Sequence, residues 1–561
     1  MRTATARPLP LAPTTKRAVW ASAITTLFVA VVAATPRSPF HSVLPRGFEP
    51  GGPFRVVSDL LGLGNLGLTA LFLLAIAATT AGGIAFLFLL REAWHARLTV
   101  RHVALLTIAF HLVVLMLPLL FSRDAYSYAY IGKIVNDYGG NPWVDVPRDY
   151  DQIPLFILTW PGWRSTPSVY GPLFTWVSVA LTDMLKSIPS LITGFQVVAA
   201  VASLVTTWVV ARTVDRAMPH RTAFAVAIVG VNPIVVFHVV GGGHNDMLVA
   251  MFVAIAGAAL FAHRRLAAAV ALGLAISVKA TAAIPLLLLL VAIAAAAPSG
   301  RRIRRVLLPA GAAGLVWLAL AAPFLQTTNP LLGLFDVADN SSWMAPGQLV
   351  VQVFDGVGGL IAGDGGADAG AVVARLLVFG ISAVGLFFIG REVWRRPEAR
   401  TPRALAAAWA WGMLVLILPS PVLFSWYLVW IMPLAWVLPK VPRRALVVLS
   451  VFFFVTQAVT ESTRLPESLQ TISLPFGHPV AILVTLWVAR DLIRRLRGGT
   501  LLHVETGQPE LGDRFEEGPD PWSRELDELV GDDATEPARS GAGGRPRTVL
   551  DGASTHQRRA L

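Results

Sequence analysis

A carboxylate at the end of an apolar run, with tyrosines at every second position after it, can take a proton from a hydroxyl group. Asp124, in SRDAYSYA, stands in that setting, with Arg123 beside it and Tyr126, Tyr128 and Tyr130 following. At that depth it could act as a base on a sugar hydroxyl while a lipid-linked partner lies in the bilayer. It could equally cap a helix at the membrane surface. The surrounding stretch 121–171 holds six of the seven tyrosines, together with Trp143, Trp160, Trp163 and the carboxylates Asp137, Asp145, Asp149 and Asp151. Flat apolar faces for stacking and acids for hydroxyls suit sugar binding, whereas an interface belt would spread its aromatic residues over both leaflets.

Two further places carry polar groups against apolar sequence. In GGGHNDM, residues 241–247, three glycines open the backbone to a ligand, and His244, Asn245 and Asp246 can bind hydroxyls or a phosphate. An ordinary turn needs fewer functional groups. Lys279, in ISVKATAAIP, has long apolar sequence on both sides and fits an anionic headgroup, unless it snorkels from a loop end. Arg164 and Arg464 offer more positive charge on the same face. His111 and His238 lie inside apolar runs and suit helix-to-helix hydrogen bonds. Asp149 and Asp151 could share a hard cation, but solvated loop acids are the expected reading, so no metal and no cofactor is expected. Without a Walker loop, dinucleotide fingerprint, HExxH or cysteine of any kind, ATP hydrolysis, zinc peptidase and thiolate chemistry are disfavoured.

Whatever positions these residues is membrane-embedded. At 55% hydrophobic and 14% charged over 561 residues, the chain is too apolar for a soluble protein, and it is expected to be an all-α polytopic membrane protein. Arginine supplies nearly all the basic residues, which with abundant Ala, Val and Gly suggests a GC-rich bacterial genome and the plasma membrane. The basic excess sits in short loops between spans, where it sets topology rather than binding nucleic acid.

Basic-loop parity gives about 14 spans with both termini inside. An N-terminal segment 1–16 precedes a retained first span at 18–34, the membrane domain covers 17–497, and 498–561 form an acidic, disordered cytoplasmic tail. Two outer loops are expected, at 122–189 and 325–369, with an amphipathic stretch at 173–186 along the interface. The block 266–297 has inward flanks and needs two short crossings, which puts Lys279 at or near the outer face, the face that holds Asp124 and the 241–247 turn. Spans are also expected near 371–390, 404–419, 423–438, 444–460 and 479–493.

SRDAYSYAYIG, then GGNPW and YGPL, then GGGHND at the start of a later span and VKA entering an apolar run, resemble the GT-C superfamily of integral-membrane glycosyltransferases. Within it the likeness is to the actinobacterial polyprenol-phosphomannose-dependent α-(1→6)-mannosyltransferases, over roughly residues 60–495. The resemblance implies a GT-C bundle with a large first catalytic outer loop, and Asp124 as the catalytic base of an inverting displacement. Arg123, Tyr126, Tyr128, Asn141, Trp143, Tyr170, His244, Asn245, Asp246 and Lys279 would line the substrates. The implied partners are a polyprenyl-phosphate sugar, expected to carry mannose, a glycan or glycolipid acceptor and membrane lipids, with the active site facing outside. A transporter or flippase of a lipid-linked sugar is the alternative, which an internal repeat and polar groups at the bilayer midplane would favour.

Overall fold

The structure is a computed structural model that describes residues 12–42, 44, 51–325, 345–460 and 467–503, apart from the side chains of 457–460 and 467–478. Among these residues there is no strand, only a single bridge between His41 and Leu120. Residues 504–561 of the acidic tail, Arg464 and residues 326–344 of the second expected outer loop lie outside the description.

Six helices are long and apolar enough to cross a membrane, at Pro13–Ala34, Leu68–Trp94, Ile188–Ala217, Pro219–Val240, Ser299–Phe324 and Pro346–Arg395. The chain is therefore a membrane protein, and six is the number that length and hydropathy support among the described residues, against the 14 expected. The expected crossings in 266–297 and near 404–419 are shorter apolar helices, Arg265–Ile276, Ala280–Ala296 and Pro402–Ile417, and Val100–Leu115 and Asp246–Phe261 are of the same kind. The basic ends of several helices meet. Trp94, closing Leu68–Trp94, has the Arg221 guanidinium 3.3 Å and the Arg443 guanidinium 4.3 Å from its ring centroid. Such cation–π contacts tie these loops together at one end of the bundle.

The long polar insertion is a folded unit rather than an open loop. Asp124–Tyr138 (α1) packs on Pro172–Met184 (α2), the stretch expected to lie along the interface. Gly132 makes the packing possible, because a Cβ there would lie 2.5 Å from Thr182 Oγ1. Asn136 locks the pair with donors to the Val179 carbonyl and Thr182 Oγ1, each at 2.8 Å.

The block 266–297 is two short helices, Arg265–Ile276 (α3) and Ala283–Ala296 (α4), with Lys279 extended in the break between them, as the charge of its flanks requires. Two expectations are corrected. Residues 346–369 of the second outer loop are helical: Pro346–Arg395 is a hairpin that turns at Ala362 and Gly363, bringing Gly358 against Gly366 and Phe354 against Gly370. The glycines and alanines of this stretch allow the two arms to touch.

The span near 423–438 is not an α-helix. It consists of two 3₁₀ turns, Ser425–Trp430 and Met432–Leu434, running from Trp426 at His244 to Trp436 at Phe261, the far end of Asp246–Phe261. Backbone with such poor hydrogen-bond geometry survives at membrane depth only inside protein, and nearly every residue from 421 to 439 is buried.

Candidate active site

Asp124 is the first residue of α1, and the three residues before it are held in place. Phe121 adopts φ 60°, a left-handed conformation costly for a bulky residue. Its N–H donates to the Phe40 carbonyl at 2.8 Å, and its ring stacks on His238 with centroids 4.2 Å apart. Leu120 N–H donates to the Gly241 carbonyl at 3.0 Å, so the approach to Asp124 is fastened to the glycine turn.

That turn follows a π-helix, Ile234–Val240, a form that recurs at functional sites. Gly243 has φ 64°, open to glycine at no cost, and at Gly242 a Cβ would lie 2.7 Å from the His244 ring. The glycines thus let the imidazole fold back over its own backbone. His244 Nδ1 lies 3.5 Å from Asp124 Oδ2, and its ring stacks on Trp426 at 4.0 Å.

Asp246 opens Asp246–Phe261 and is fully buried. Its Oδ1 accepts from Lys279 Nζ at 2.9 Å and from Trp430 Nε1 at 2.8 Å. Lys279 also lies 4.6 Å from the Tyr427 ring centroid, 5.2 Å from that of Trp430 and 5.9 Å from that of Tyr170. Tyr170 arrives on the YGPL turn, where Gly171 N–H donates to the Val278 carbonyl at 3.0 Å and Leu173 N–H to that of Ser277 at 2.8 Å. Only glycine fits at 171, because a Cβ would overlap the Ser277 carbonyl. YGPL and VKA, far apart in the sequence, are one contact. Tyr128 stands edge-on to Tyr170 at 5.1 Å.

The chamber is short of partners for its own polar atoms. Both ring nitrogens of His244, both amide atoms of Asn245, Asp246 Oδ2 and the Tyr128 hydroxyl are buried without a hydrogen bond. Each such atom costs roughly 1–3 kcal/mol unless something polar meets it. These six atoms sit on four side chains, three of them consecutive in the chain, and leave a polar lining that the hydroxyl or phosphate oxygens of a ligand could meet.

Burial pushes the Asp124 carboxyl up to about 6; the Lys279 charge and hydrogen bonds from Ser122 and Trp163 oppose the rise, and Asp246 adds to it. Burial, then Lys279, hold His244 well below its ordinary value, so its imidazole is neutral. The Tyr128 and Tyr170 phenols are held well above theirs, chiefly by burial.

Of the residues expected to line substrates, Asp124, Tyr128, Tyr170, His244, Asp246 and Lys279 come together, with Asn245 buried beside them. Arg123 is half-buried ahead of α1, and Tyr126 is buried within it. Asn141 and Trp143 lie elsewhere. Asn141 donates to the Phe324 carbonyl at 2.8 Å and accepts from Trp143 N–H at 3.1 Å, while Trp143 packs on Phe324 and Trp317. They fasten the insertion to the helix that ends at Phe324. Arg164 donates to the Ile157 carbonyl at 3.0 Å. The missed residues are Trp426, Tyr427 and Trp430. Their signal was the seventh tyrosine among closely spaced aromatic residues, bracketed by Pro419, Pro421, Pro433 and Pro439.

Residues 48–296 match the family model described as the alpha-(1->6)-mannopyranosyltransferase N-terminal domain. Alpha-(1->6)-mannopyranosyltransferase A of Corynebacterium glutamicum is 28% identical over 165 residues, 28% of this chain and 33% of that protein. The protein of the same name from Mycobacterium tuberculosis is 27% identical over 349 residues, 59% of this chain and 65% of that protein. The chain thus spans from a third to just under two thirds of the length of these relatives. No solved structure matches it. Asp124, the HND turn, YGPL and Lys279 all fall inside the matched residues, and in that part the chain resembles the actinobacterial α-(1→6)-mannosyltransferases of the GT-C superfamily.

Proposed function

We infer that this protein is a glycosyltransferase that moves a mannosyl group from a polyprenyl-phosphate donor to a hydroxyl of a cell-envelope glycan or glycolipid, on the outer face of the plasma membrane. The observation that carries the reading is the meeting of Asp124 and Lys279 in one chamber of unpartnered polar atoms. Asp124, in its ionised form, takes the proton of the acceptor hydroxyl as that oxygen attacks the anomeric carbon. The bond from the anomeric carbon to the phosphate oxygen breaks, and polyprenyl phosphate leaves. An ammonium carries three donors, of which Asp246 uses one, so Lys279 can still meet the departing phosphate. A single displacement inverts the anomeric centre, giving an α-linked product from a β-linked donor. Neutral His244, flat on Trp426, offers the sugar a hydrogen-bonding edge beside the base.

The names of the relatives support mannose, and basic-loop parity supports the outer face, because Asp246–Phe261 and α4, which begin on the chamber side, are followed by Arg264 and Arg265 and by Arg301 and Arg302. The transporter alternative gains nothing from this geometry, in which the polar groups gather at helix starts and turns.

The test is transfer of radiolabelled mannose from polyprenyl-phosphate mannose to short α-mannosides, in membranes holding wild type or Asp124→Asn at matched levels. Transfer that vanishes with Asp124→Asn is the expected result. Equal transfer by both would remove Asp124 from the role of base, and inactivity of the wild type with every lipid-linked mannose tried would sink the transferase reading.

A further inference from the structure

The hairpin Pro346–Arg395 lies outside the stretch matched by the family model and contributes nothing to the chamber, yet it carries a cleft of its own. The cleft has a volume of about 440 Å³ and is lined from both arms, by Gln348, Gln352 and Asp355 on one and Asp368 and Arg375 on the other. Spacings of four and three residues put the first three on one helix face, and a spacing of seven puts the last two on one face of the returning arm. That volume falls within the roughly 300–1,000 Å³ typical of small-ligand clefts.

Three features indicate its occupant. First, two carboxamides and two carboxylates supply donors and acceptors in quantity, with one guanidinium among them. That is a surface for hydroxyl groups, and its two acids disfavour a phosphate. Second, the walls are stiff: the arms touch where a would-be Cβ of Gly366 lies 2.9 Å from the Gly358 carbonyl carbon, and where Gly370 abuts the Phe354 carbonyl. Third, a run of contacts joins the base of the hairpin to the chamber. Gly347, one residue before Gln348, is pressed against residues 419–421, since a Cβ there would lie 2.6 Å from Pro421 N. From Pro421 the chain runs to Phe424, whose ring stacks on Trp426 at 4.7 Å, and Trp426 stacks on His244.

We propose that the cleft between the hairpin arms is a subsite for a neutral oligosaccharide, holding the acceptor glycan at sugars beyond the one that reacts. The proposal rests on the transferase reading for its direction, from chamber outward, and on the hairpin alone for the binding itself.

The experiment measures binding of a fluorescent α-(1→6)-linked mannotetraose to the full chain in nanodiscs, without donor. Gln352→Ala and Asp355→Ala, on exposed turns, and Asp368→Ala are each expected to weaken binding about tenfold, the loss of one or two hydrogen bonds. As a second readout, saturating tetraose should protect Asp355 and Asp368 of the wild type from carbodiimide labelling. No binding by the wild type, unchanged binding by all three variants, or full labelling under saturating tetraose would each overturn the cleft. A chain that transfers mannose but fails these tests keeps the transferase reading and loses the subsite. One that binds through the hairpin but transfers nothing loses the transferase reading and keeps the subsite.

Discussion

Lys279 and Asp246 meet at 2.9 Å, although one stands in a break between two short helices and the other opens a helix 33 residues earlier in the chain. The pair is enclosed by the rings of Tyr427, Trp430 and Tyr170 and joins the two halves of the chamber. Removing one partner leaves the other charge buried among rings, which typically costs 3–5 kcal/mol. Asp246→Ala should therefore lower stability by about that much, read from denaturant unfolding in micelles. Asp246→Asn combined with Lys279→Met should recover most of the loss while remaining inactive. Additive single and double losses would show that the pair is not coupled in solution.

The base should give the transfer reaction an acid limb. Asp124 acts only when ionised, and burial has raised it to about 6, so the rate should rise with pH through that value and level off above it. A rate that holds down to the ordinary carboxylate range would assign the limb to another group.

The same raised value is a statement about folding. A carboxyl whose folded value exceeds its unfolded one favours the fold below the unfolded value, 3.8, and loses that contribution as pH rises through the folded value, about 6. At neutral pH, ionised Asp124 thus opposes folding, by up to about 3 kcal/mol for a shift of this size. Asp124→Asn should abolish transfer and yet melt at or above the wild-type temperature at pH 7.5, with the difference shrinking towards pH 4. A variant that melts lower at neutral pH would contradict the direction of the shift.

The chamber was legible in the sequence where charge or glycine marked it, and hidden where hydropathy alone spoke. Arginine clusters oriented the helices, which brought the Asp124, His244 and Lys279 regions to one end before any contact was known. Tyr427 and Trp430 escaped because a buried 3₁₀ crossing and a lipid-facing helix have the same average hydropathy. Only the closely spaced prolines distinguish them. The glycine-rich hairpin misled for the opposite reason: intrinsic propensity disfavours glycine in helices, but close packing of two arms overrides it. Asn141 and Trp143 show a third case: GGNPW, one of the stretches that carried the resemblance, anchors the insertion instead of lining the chamber.

Trp430 offers a finer test, since its ring and its N–H do different things. The ring lies against Lys279, and the N–H donates to Asp246 Oδ1 at 2.8 Å. Trp430→Phe keeps a ring and loses the donor. A hydrogen bond to a charged group contributes about 1.5–3 kcal/mol, so unfolding should report a loss in that range, well short of the Asp246→Ala loss. A loss below about 0.5 kcal/mol would mean that water replaces the indole and that the carboxylate is less enclosed than its burial implies.

Gly171→Ala asks whether the YGPL turn must touch the Lys279 break. The glycine has ordinary φ, so alanine meets no φ/ψ penalty, and the obstacles are the Ser277 carbonyl and, at 2.9 Å, the Ile276 carbonyl oxygen. One methyl group should push the turn away by a fraction of an ångström to an ångström, taking Tyr170 off Lys279 and shifting Lys279 relative to Asp124. Misplacements of that size cost about a hundredfold in rate when reacting groups must be aligned. Transfer by Gly171→Ala should fall by about that factor while the protein still folds. Gly67→Ala, with open space around the added methyl, is the control and should leave the rate unchanged. Equal rates for the two variants would show that the turn can yield and that Tyr170 is not held against Lys279 during catalysis.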